Sequence, residues 1–479
     1  MSDIKILFVS SEVSPYAKSG GLGDVLGSLP KELSRLGADA RVVFPKYKTI
    51  DPRFLQSAKM EYRLPVKLGW RSQDAVILSI EDDIPTYLIE NDFYFGRDGL
   101  YGYWDDDERF AFFTKAALEM INIVEFEPDI IHFNDWQTAL GPVFLKDFYA
   151  GFKLYRNIKS VFTIHNIQHQ GNFEKHKLER IGLNEGYFTD DKLEFYGRFS
   201  FMKGGLLYAD AITTVSETYG AEIQTPEYGY SMDGLLRSNA HKLRGVLNGI
   251  DAKKYDPETN KDIYVNFGVE DVELDTGKKR ENKRALQAEL GLPQSDEPLI
   301  GVISRLAHQK GLDLISVALE ELMNMGVQMA VLGTGEENYE NLLRNTAWRY
   351  PDRMSANIYF SDVLAQKIYA GVDIFLMPSL FEPCGLGQLF AMRYGSVPVV
   401  RHTGGLCDTV RPHDEPDATG FVFNDYLASG MMWALNEAIS VYRFDKNKWK
   451  RIMLNGMKSD FSWKTSASKY LDLYESLKK

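Results

Sequence analysis

The chain has 479 residues, of which 44% are hydrophobic and 25% are charged, a composition typical of a globular protein and a length that predicts more than one domain. Its 55 basic and 67 acidic residues give a formal net charge of −12. This acidic balance disfavours nucleic acids and anionic membranes as partners, because their phosphates attract basic surfaces. The net charge does not disfavour uncharged partners such as polysaccharides.

The cysteine count and the apolar runs both bear on where the protein works. Two cysteines, Cys384 and Cys407, are too few for a disulfide framework, which favours a reducing compartment. The apolar run near the start lacks the cleavage site of a signal peptide, and no segment approaches the roughly 18–20 apolar residues that span a bilayer. The sequence therefore predicts a cytoplasmic protein with no membrane segment.

Short apolar runs alternate with helical periodicity along the whole chain, which predicts parallel α/β units. Leucines three and four residues apart between Leu22 and Leu36 predict a helix after the first strand, with Pro30 as a kink or a restart. Buried strands are predicted at residues 4–10, 40–44, 130–133, 161–164 and 211–215 in the first half, and at 299–303, 329–332, 358–360, 374–377 and 397–400 in the second.

The two halves are separated by a polar segment, residues 251–295, which predicts an interdomain connection with a surface helix. Several predicted strands end in polar or glycine-rich residues, and open parallel sheets bind ligands at the carboxyl ends of their strands. The predicted fold class is therefore α/β, with two Rossmann-like domains that face each other across a deep cleft. The first domain covers 1–248 and the second 249–460, and amphipathic spacing predicts that 461–479 form a helix crossing back to the first domain.

The first candidate site is the loop K-S-G-G-L-G-D at positions 18–24, between the first strand and its helix. Gly20 and Gly21 allow a ligand to approach the backbone, the helix N-terminus favours an anion, and Lys18 adds a positive charge. A flexible turn with a solvated lysine is the alternative. The spacing is neither G-x-G-x-x-G nor a Walker loop, which disfavours a nicotinamide-dependent oxidoreductase.

The second candidate site, S-R-L-A-H-Q-K-G at 304–311, directly follows a predicted strand. The planar guanidinium of Arg305 and the point charge of Lys310 are suited to clamp a diphosphate and to neutralise charge on a leaving group. Two solvated surface charges are the alternative interpretation.

The third candidate site is F-E-P-C-G-L-G-Q at 381–388, between a strand and a new helix. Glu382 has the chemistry to accept hydrogen bonds from sugar hydroxyls or to stabilise an oxocarbenium ion, whereas the alternative places it at a helix N-terminus to suit the dipole. Cys384 is interpreted as a packing residue and not as a nucleophile, because no histidine neighbours it in sequence.

Polar residues at two further strand ends stay ambiguous between structural and functional roles: His132 and Asp135 after one strand, and His165 after the next. No histidine and cysteine spacing typical of a zinc site occurs. The acidic run 105–108 is interpreted as a loop and helix start, since nothing in the sequence places its carboxylates at a strand end. The sequence therefore predicts no metal requirement.

Taken together, these segments resemble the bacterial glycogen synthases and the related plant starch synthases, in order and spacing through almost the whole chain. The resemblance implies a retaining glucosyltransferase of the two-Rossmann (GT-B) fold, which transfers glucose from ADP-glucose to the non-reducing end of an α-1,4-glucan such as glycogen. The matching segments are 11–13, 18–24, 132–136, 163–166, 245–251, 304–306, 309–313, 378–379, 381–385, 403–406 and 461–463.

The resemblance also implies the roles of individual residues. The catalytic residues would be Arg305 and Lys310 on the diphosphate, Glu382 and His165 at the transferred glucose, and Asp135 near the reacting centre. The donor would be bound by Lys18, Gly20 and Gly21 at its phosphates and glucose, by Asn248 and the backbone of Cys384, Gly385 and Leu386 at the glucose, and by Gly333, Gly335 and Phe360 at the base and ribose. No cofactor or metal is implied, since ADP-glucose is a substrate. Gly387, where the family often has threonine, receives no side-chain role.

Two other functions stay open at this point. One is a GT-B transferase that uses UDP-glucose with a different acceptor, and the other is a catalytically silent glucan-binding protein. The presence of Lys18, Arg305, Lys310 and Glu382 disfavours the silent protein. The resemblance implies that retention arises by front-face attack guided by the departing phosphate, while the residues alone leave a double displacement open.

Overall fold

A computed structural model of the chain describes residues 4–478. The chain divides into two compact units, the first of Met1–Gly249 with Trp463–Lys479 and the second of Ile250–Ser462. The first boundary falls one residue after the predicted one, and the second falls two residues after the predicted start of the tail. Each unit is built around a mainly parallel sheet, which confirms the α/β class with two Rossmann-like domains.

Strands alternate with helices in the first unit, as the apolar runs predict. The strands are β1 (Lys5–Val9), β2 (Asp39–Pro45), β3 (Lys59–Leu68), β4 (Arg71–Ile80), β5 (Thr86–Glu90), β6 (Ile130–Asn134), β7 (Lys159–Ile164), β8 (Asn172–Glu174), β9 (Glu194–Phe195), β10 (Arg198–Ser200), β11 (Ala211–Thr214) and β12 (Leu243–Gly245). The main sheet has the order β12-β11-β7-β6-β1-β2-β5-β4-β3, and β8, β10 and β9 form a small separate sheet. From β12 to β5 all neighbours are parallel, so the carboxyl ends of these strands lie at one edge.

The antiparallel strands β3 and β4 extend this sheet beyond β5 and are absent from the sequence-based prediction. In β3 the buried side chains are Leu64, Val66 and Leu68, which alternate with exposed ones. Alternation is the signal of a strand with one solvated face, whereas the prediction relied on continuous apolar runs.

Helix α1 (Gly21–Arg35) follows β1 and runs through Pro30 as one element, which excludes a restart at that residue. Its buried leucines confirm the predicted spacing, and α3 begins inside the acidic run, as predicted. The remaining helices of this part of the chain are α2 (Asp92–Phe95), α3 (Asp106–Ile123), α4 (Gly141–Phe144), α5 (Phe201–Tyr208), α6 (Glu217–Glu222) and α7 (Asp233–Ser238).

The second unit has a fully parallel sheet. Its strands are β13 (Leu299–Ile303), β14 (Gln328–Leu332), β15 (Met354–Asn357), β16 (Ile374–Met377), β17 (Val397–Arg401) and β18 (Phe421–Phe423). They lie in the order β15-β14-β13-β16-β17-β18, so the chain adds β14 and β15 on one side of β13 and then β16, β17 and β18 on the other side. At such a switch point the loops after adjacent strands diverge and leave room for a ligand.

The predicted strand at 358–360 is wrong, because the strand lies at Met354–Asn357. The register with β14 ends where Leu332 pairs with Asn357, and the N–H of Gly333 donates to Asn357 O at 3.1 Å. Ser361 already caps the next helix through its side chain. The apolar residues at 358–360 therefore form a short connection and not a strand.

The polar segment 251–295 contains a helix, but the predicted surface helix is half-buried. Asn282, Lys283, Leu286 and Gln287 are all buried in α9, which packs against α12. Its low apolar content hid this face, since three of the four buried residues are polar. The helices of the second unit are α8 (Val269–Glu273), α9 (Lys278–Glu289), α10 (Leu312–Asn324), α11 (Glu337–Arg349), α12 (Asp362–Gly371), α13 (Gly387–Arg393), α14 (Gly404–Thr409), α15 (Ala428–Phe444) and α16 (Lys446–Lys458).

The last helix, α17 (Trp463–Lys478), belongs to the first unit and packs against α1. His132 anchors it, because its Nδ1 lies 2.7 Å from the hydroxyl of Tyr474. Burial lowers the pKa of His132 to about 3, so the ring is neutral and its role is structural. Among residues 4–478, no helix combines the length and apolar character that a membrane crossing needs.

Candidate functional site

The first unit brings four predicted site segments to the carboxyl edge of its parallel strands. The glycine loop follows β1, Asp135 follows β6, His165 follows β7 and Asn248 follows β12. In open α/β sheets this edge is where ligands bind. The fold therefore collects residues that lie more than 200 positions apart in the sequence.

The glycine loop is exposed at Lys18, Gly20 and Gly21. Gly20 is the N-cap of α1 in an extended conformation, and a side chain there would meet no atom within 4 Å. Lys18 Nζ lies 2.8 Å from Asp24 Oδ1, so the lysine is held over the helix N-terminus rather than freely solvated. A loop with open space, a cation and the positive end of a helix is suited to an anion.

Asp135 has an unusual backbone, with φ 57° and ψ 178°. Its side chain is buried, and Oδ1 accepts a hydrogen bond of 2.7 Å from the N–H of His165. Burial raises the pKa of Asp135 to about 7, against the opposing effect of that hydrogen bond. Backbone strain of this kind typically costs about 1–3 kcal/mol and is concentrated at functional sites.

His165 is held in one tautomer by Asn134, which the sequence analysis missed. The Nδ2 of Asn134 donates to the carbonyls of Val9 and His132, so its Oδ1 faces His165 Nε2 at 3.0 Å. Nε2 therefore carries the hydrogen, and Nδ1 is an acceptor. Desolvation lowers the pKa of His165 to about 3, which keeps the half-buried ring neutral.

Asn248 is 5% exposed, and its Oδ1 is buried without a hydrogen-bond partner among residues 4–478. Leaving a buried acceptor unmatched costs about 1–3 kcal/mol, so native proteins rarely do so without a reason. A ligand that supplies a donor would satisfy this oxygen.

The second unit places its candidate loops at the carboxyl ends of adjacent strands. Lys310, which follows β13, pairs with Glu382, which follows β16, at 2.7 Å between Nζ and Oε2. Ser379 Oγ donates to the same carboxylate oxygen at 3.0 Å. Arg305 is exposed, with Nη2 3.3 Å from Gln309 Oε1. One cation is thus paired and the other remains open to solvent.

Glu382 does not serve the helix dipole, because α13 begins five residues later at Gly387. Its side chain is buried and faces Lys310. That geometry makes the dipole interpretation wrong and also excludes Lys310 as a merely solvated charge. Cys384 is buried, as its interpretation as a packing residue predicts.

Close backbone contacts hold these loops together. A Cβ on Gly335 would lie 2.1 Å from Leu306 O, so only glycine lets the loops after β13 and β14 touch. The same holds for Gly405, where a Cβ would lie 2.1 Å from Cys384 O. These contacts fix the surroundings of the predicted donor residues Gly333, Gly335, Cys384, Gly385 and Leu386.

Phe360 lies in the connection between β15 and α12 and is 80% exposed. It follows the strand next to the one that leads into Gly333 and Gly335. An exposed ring at the carboxyl edge of a sheet is suited to stack on a planar group such as a nucleotide base.

The carboxylates of the acidic run at the start of α3 are paired with arginines. Asp105 pairs with Arg97 at 2.6 Å, and Asp107 pairs with Arg180 at 2.6 Å. Within the described residues 4–478, no three His, Cys, Asp or Glu side chains are grouped so that they could hold a metal ion. The independence from metals stays a prediction.

Comparisons with known proteins cover both units. The family model of the starch synthase catalytic domain matches residues 5–238, and that of glycosyl transferases group 1 matches residues 283–451. A glycogen synthase of Clostridium acetobutylicum is 49% identical over 480 residues, which cover 99% of this chain and 100% of the relative. A glycogen synthase of Desulforamulus reducens is 49% identical over 479 residues, with 99% of each chain covered.

Solved structures also match the chain through both units. The catalytic domain of starch synthase IV from Arabidopsis thaliana, bound to ADP and acarbose, matches with a TM-score of 0.94 and 33% identity over 100% of both chains. Sucrose-phosphate synthase from Thermosynechococcus elongatus shares the fold alone, with a TM-score of 0.62 and 17% identity over 99% of each chain. The chain therefore belongs to the family of bacterial glycogen synthases and plant starch synthases, and it is a glycosyltransferase.

Proposed function

We propose that this enzyme elongates an α-1,4-glucan such as glycogen by transferring glucose from ADP-glucose to the non-reducing end, with retention at the anomeric carbon. Family membership supports the transfer of glucose to a glucan, since the relatives are glycogen synthases. The ADP bound to the Arabidopsis domain supports an adenine nucleotide as the donor. The single structural observation that carries the proposal is the Lys310–Glu382 ion pair at the carboxyl ends of β13 and β16.

The residues of the second unit suit the departure of ADP. As the bond between the anomeric carbon and the phosphate oxygen breaks, negative charge gathers on the β-phosphate and positive charge on the sugar. Arg305 and Lys310 would meet the negative charge, and Glu382 would accept hydrogen bonds from the sugar hydroxyls. When a diphosphate arrives, Lys310 gains a second anionic partner, so the Glu382 carboxylate becomes available to the sugar.

The residues of the first unit suit the recognition of hydroxyl groups. His165 Nδ1 and Asn248 Oδ1 are neutral acceptors, and sugar hydroxyls are donors that match them. Asp135, whose pKa is raised to about 7 mainly by burial, would orient the acceptor hydroxyl near the reacting centre. Retention would follow from attack on the face that the phosphate leaves, guided by the departing oxygen.

The test is a transfer assay with radiolabelled ADP-glucose or UDP-glucose and glycogen. We expect label to enter glycogen at least about tenfold faster from ADP-glucose, because discrimination between bases by hydrogen bonds is commonly of this size or larger. Faster transfer from UDP-glucose would favour the other transferase. Binding of glycogen with no transfer from either donor would favour the catalytically silent protein.

A further inference from the structure

We propose that Glu12 is a positioning residue, which fixes the backbone of the glycine loop 18–21 from beneath and is itself fixed by Tyr101. The inference rests on the proposed function in one respect: the loop is taken to contact the sugar-nucleotide donor.

The carboxylate of Glu12 is saturated by four hydrogen bonds. Oε2 accepts from the N–H of Ser19 at 2.6 Å and from the N–H of Gly20 at 3.2 Å. Oε1 accepts from Ser19 Oγ at 2.6 Å and from the hydroxyl of Tyr101 at 2.7 Å. Three of these four donors belong to the loop.

The anchoring residue and the segment that it holds differ in solvent exposure. Glu12 is 3% exposed, whereas Lys18, Ser19 and Gly20 are all exposed. An exposed glycine segment loses much conformational entropy when it is ordered, so a fixed loop needs strong local contacts. Hydrogen bonds to an ionised acceptor are the stronger kind, and here they act on two successive backbone N–H groups.

Tyr101 is held in turn by the segment that carries it. The buried Arg109 donates through Nη1 to Leu100 O at 3.2 Å, and Asp106 Oδ2 accepts from the N–H of Gly102 at 2.8 Å. The hydroxyl of Tyr101 also lies 2.8 Å from Ser11 Oγ. Since that hydroxyl has one hydrogen, it donates to Glu12 and accepts from Ser11.

The network also determines which N–H groups of the loop are available to an anion. The N–H of Gly20 is used by Glu12, so it is not a donor to a phosphate. Lys18 and the N–H groups at the start of α1 remain for the anion, because the first four N–H groups of a helix have no partner within it. Glu12 thereby aims the loop without touching the substrate.

The test compares Glu12→Gln with Glu12→Ala in the full chain. Glutamine preserves the network, because its oxygen replaces Oε2 and its amide donates to the hydroxyls of Ser19 and Tyr101, which can both accept. We expect kcat/KM for ADP-glucose within about threefold of wild type in Glu12→Gln and lowered at least about tenfold in Glu12→Ala, with KM for glycogen unchanged in both. Equal losses in the two variants, or no loss in Glu12→Ala, would overturn the proposal.

A second pair of variants covers the case in which Glu12→Ala does not fold. Tyr101→Phe removes one hydrogen bond to Glu12, and Tyr149→Phe is its matched control, because Tyr149 donates to Glu119 at the same 2.7 Å elsewhere in the first unit. We expect kcat/KM for ADP-glucose to fall about threefold in Tyr101→Phe only. The same change in both variants would overturn the proposal.

Hydrogen exchange separates this inference from the proposed function. The amides of Ser19 and Gly20 are expected to exchange slowly in wild type and Glu12→Gln and at least about tenfold faster in Glu12→Ala. Unchanged exchange in Glu12→Ala refutes the anchor. If the wild-type enzyme transfers no glucose from ADP-glucose, the proposed function fails, and the exchange rates still decide whether Glu12 holds the loop.

Discussion

The proposed site residues of the two units differ in whether their polar groups already have partners within the protein. In the second unit Lys310 and Glu382 neutralise each other at 2.7 Å. In the first unit Asn248 Oδ1 has no partner among residues 4–478, and Asp135 is held in a strained backbone conformation. Asn248 in the first unit is thus a neutral acceptor that lacks a donor, whereas Lys310 and Glu382 in the second unit are charges that we propose exchange partners when an anion binds.

This difference leads to different kinetic roles. Sugar hydroxyls are present before the reaction starts, so groups that bind them act on the ground state and the transition state alike, and their loss raises KM. Charge on the leaving phosphate develops only as the bond breaks, so the groups that meet it act on kcat. The following variants test whether the two units divide the work in this way.

The largest effect is expected for the cations of the second unit. Arg305→Ala and Lys310→Ala should each lower kcat at least about 100-fold, because each removes a positive charge from the developing phosphate charge. Arg344→Ala is the control, since it breaks an exposed ion pair of 3.0 Å with Glu340 in the same unit and should leave kcat unchanged. Near-normal turnover in both site variants would contradict the clamp.

A smaller loss is expected for Glu382→Gln. The carboxamide cannot form the ion pair with Lys310 and offers no negative charge to the sugar, so kcat at saturating ADP-glucose should fall about tenfold. Glu273→Gln, which disrupts an exposed ion pair of 2.5 Å with Lys458 elsewhere in the second unit, is the control. An unchanged rate in Glu382→Gln would remove this residue from the reacting centre.

In the first unit, Asn248→Ala should affect binding and not stability. Its Oδ1 loses no partner within the described residues, so we expect KM for ADP-glucose to rise about tenfold while the free energy of unfolding changes by less than about 1 kcal/mol. The buried Asn282, whose Oδ1 and Nδ2 both have partners, gives the reverse control. Asn282→Ala should lower the free energy of unfolding by about 1–3 kcal/mol with KM unchanged. A destabilised Asn248→Ala with normal KM would identify Asn248 as structural.

Asp135 should make stability depend on pH. Its pKa is raised from 3.8 to about 7, chiefly by burial, so between these values the folded state binds more protons than the unfolded state. The contribution of Asp135 to the free energy of unfolding then falls as the pH rises through this window. Asp135→Asn removes that contribution, so the free energy of unfolding of wild type minus that of the variant, from urea titrations between pH 4 and about 7, should fall as the pH rises. An identical slope in the variant would contradict the raised pKa.

Much of the architecture was predictable because it depends on local pattern. Buried parallel strands are continuous apolar runs, and the segments 18–24, 304–311 and 381–388 lie in the connections that follow three of them. Strand ends in a parallel sheet share one edge, so the sequence predicts Arg305, Lys310 and Glu382 at the same edge of the second sheet. Only the structure shows that Lys310 is the cation that pairs with Glu382.

The unpredicted features depend on contacts between distant segments. Glu12 stands at a strand end, a usable signal, but its anchoring role depends on Tyr101, 89 residues away. The tautomer of His165 depends on Asn134, 31 residues away. The half-exposed strand β3 and the polar buried face of α9 lack the apolar runs on which sequence reasoning relies. The pattern of apolar residues predicts which apolar side chains are buried, but it does not predict which polar side chains are buried with hydrogen-bond partners.

The most direct test of the division between the units is a parallel measurement of kcat and KM for ADP-glucose in Lys310→Ala and Asn248→Ala with glycogen as acceptor. We expect Lys310→Ala to lose kcat with KM within about threefold of wild type, and Asn248→Ala to raise KM with kcat within about threefold. The opposite pattern, or the same pattern in both variants, would contradict it.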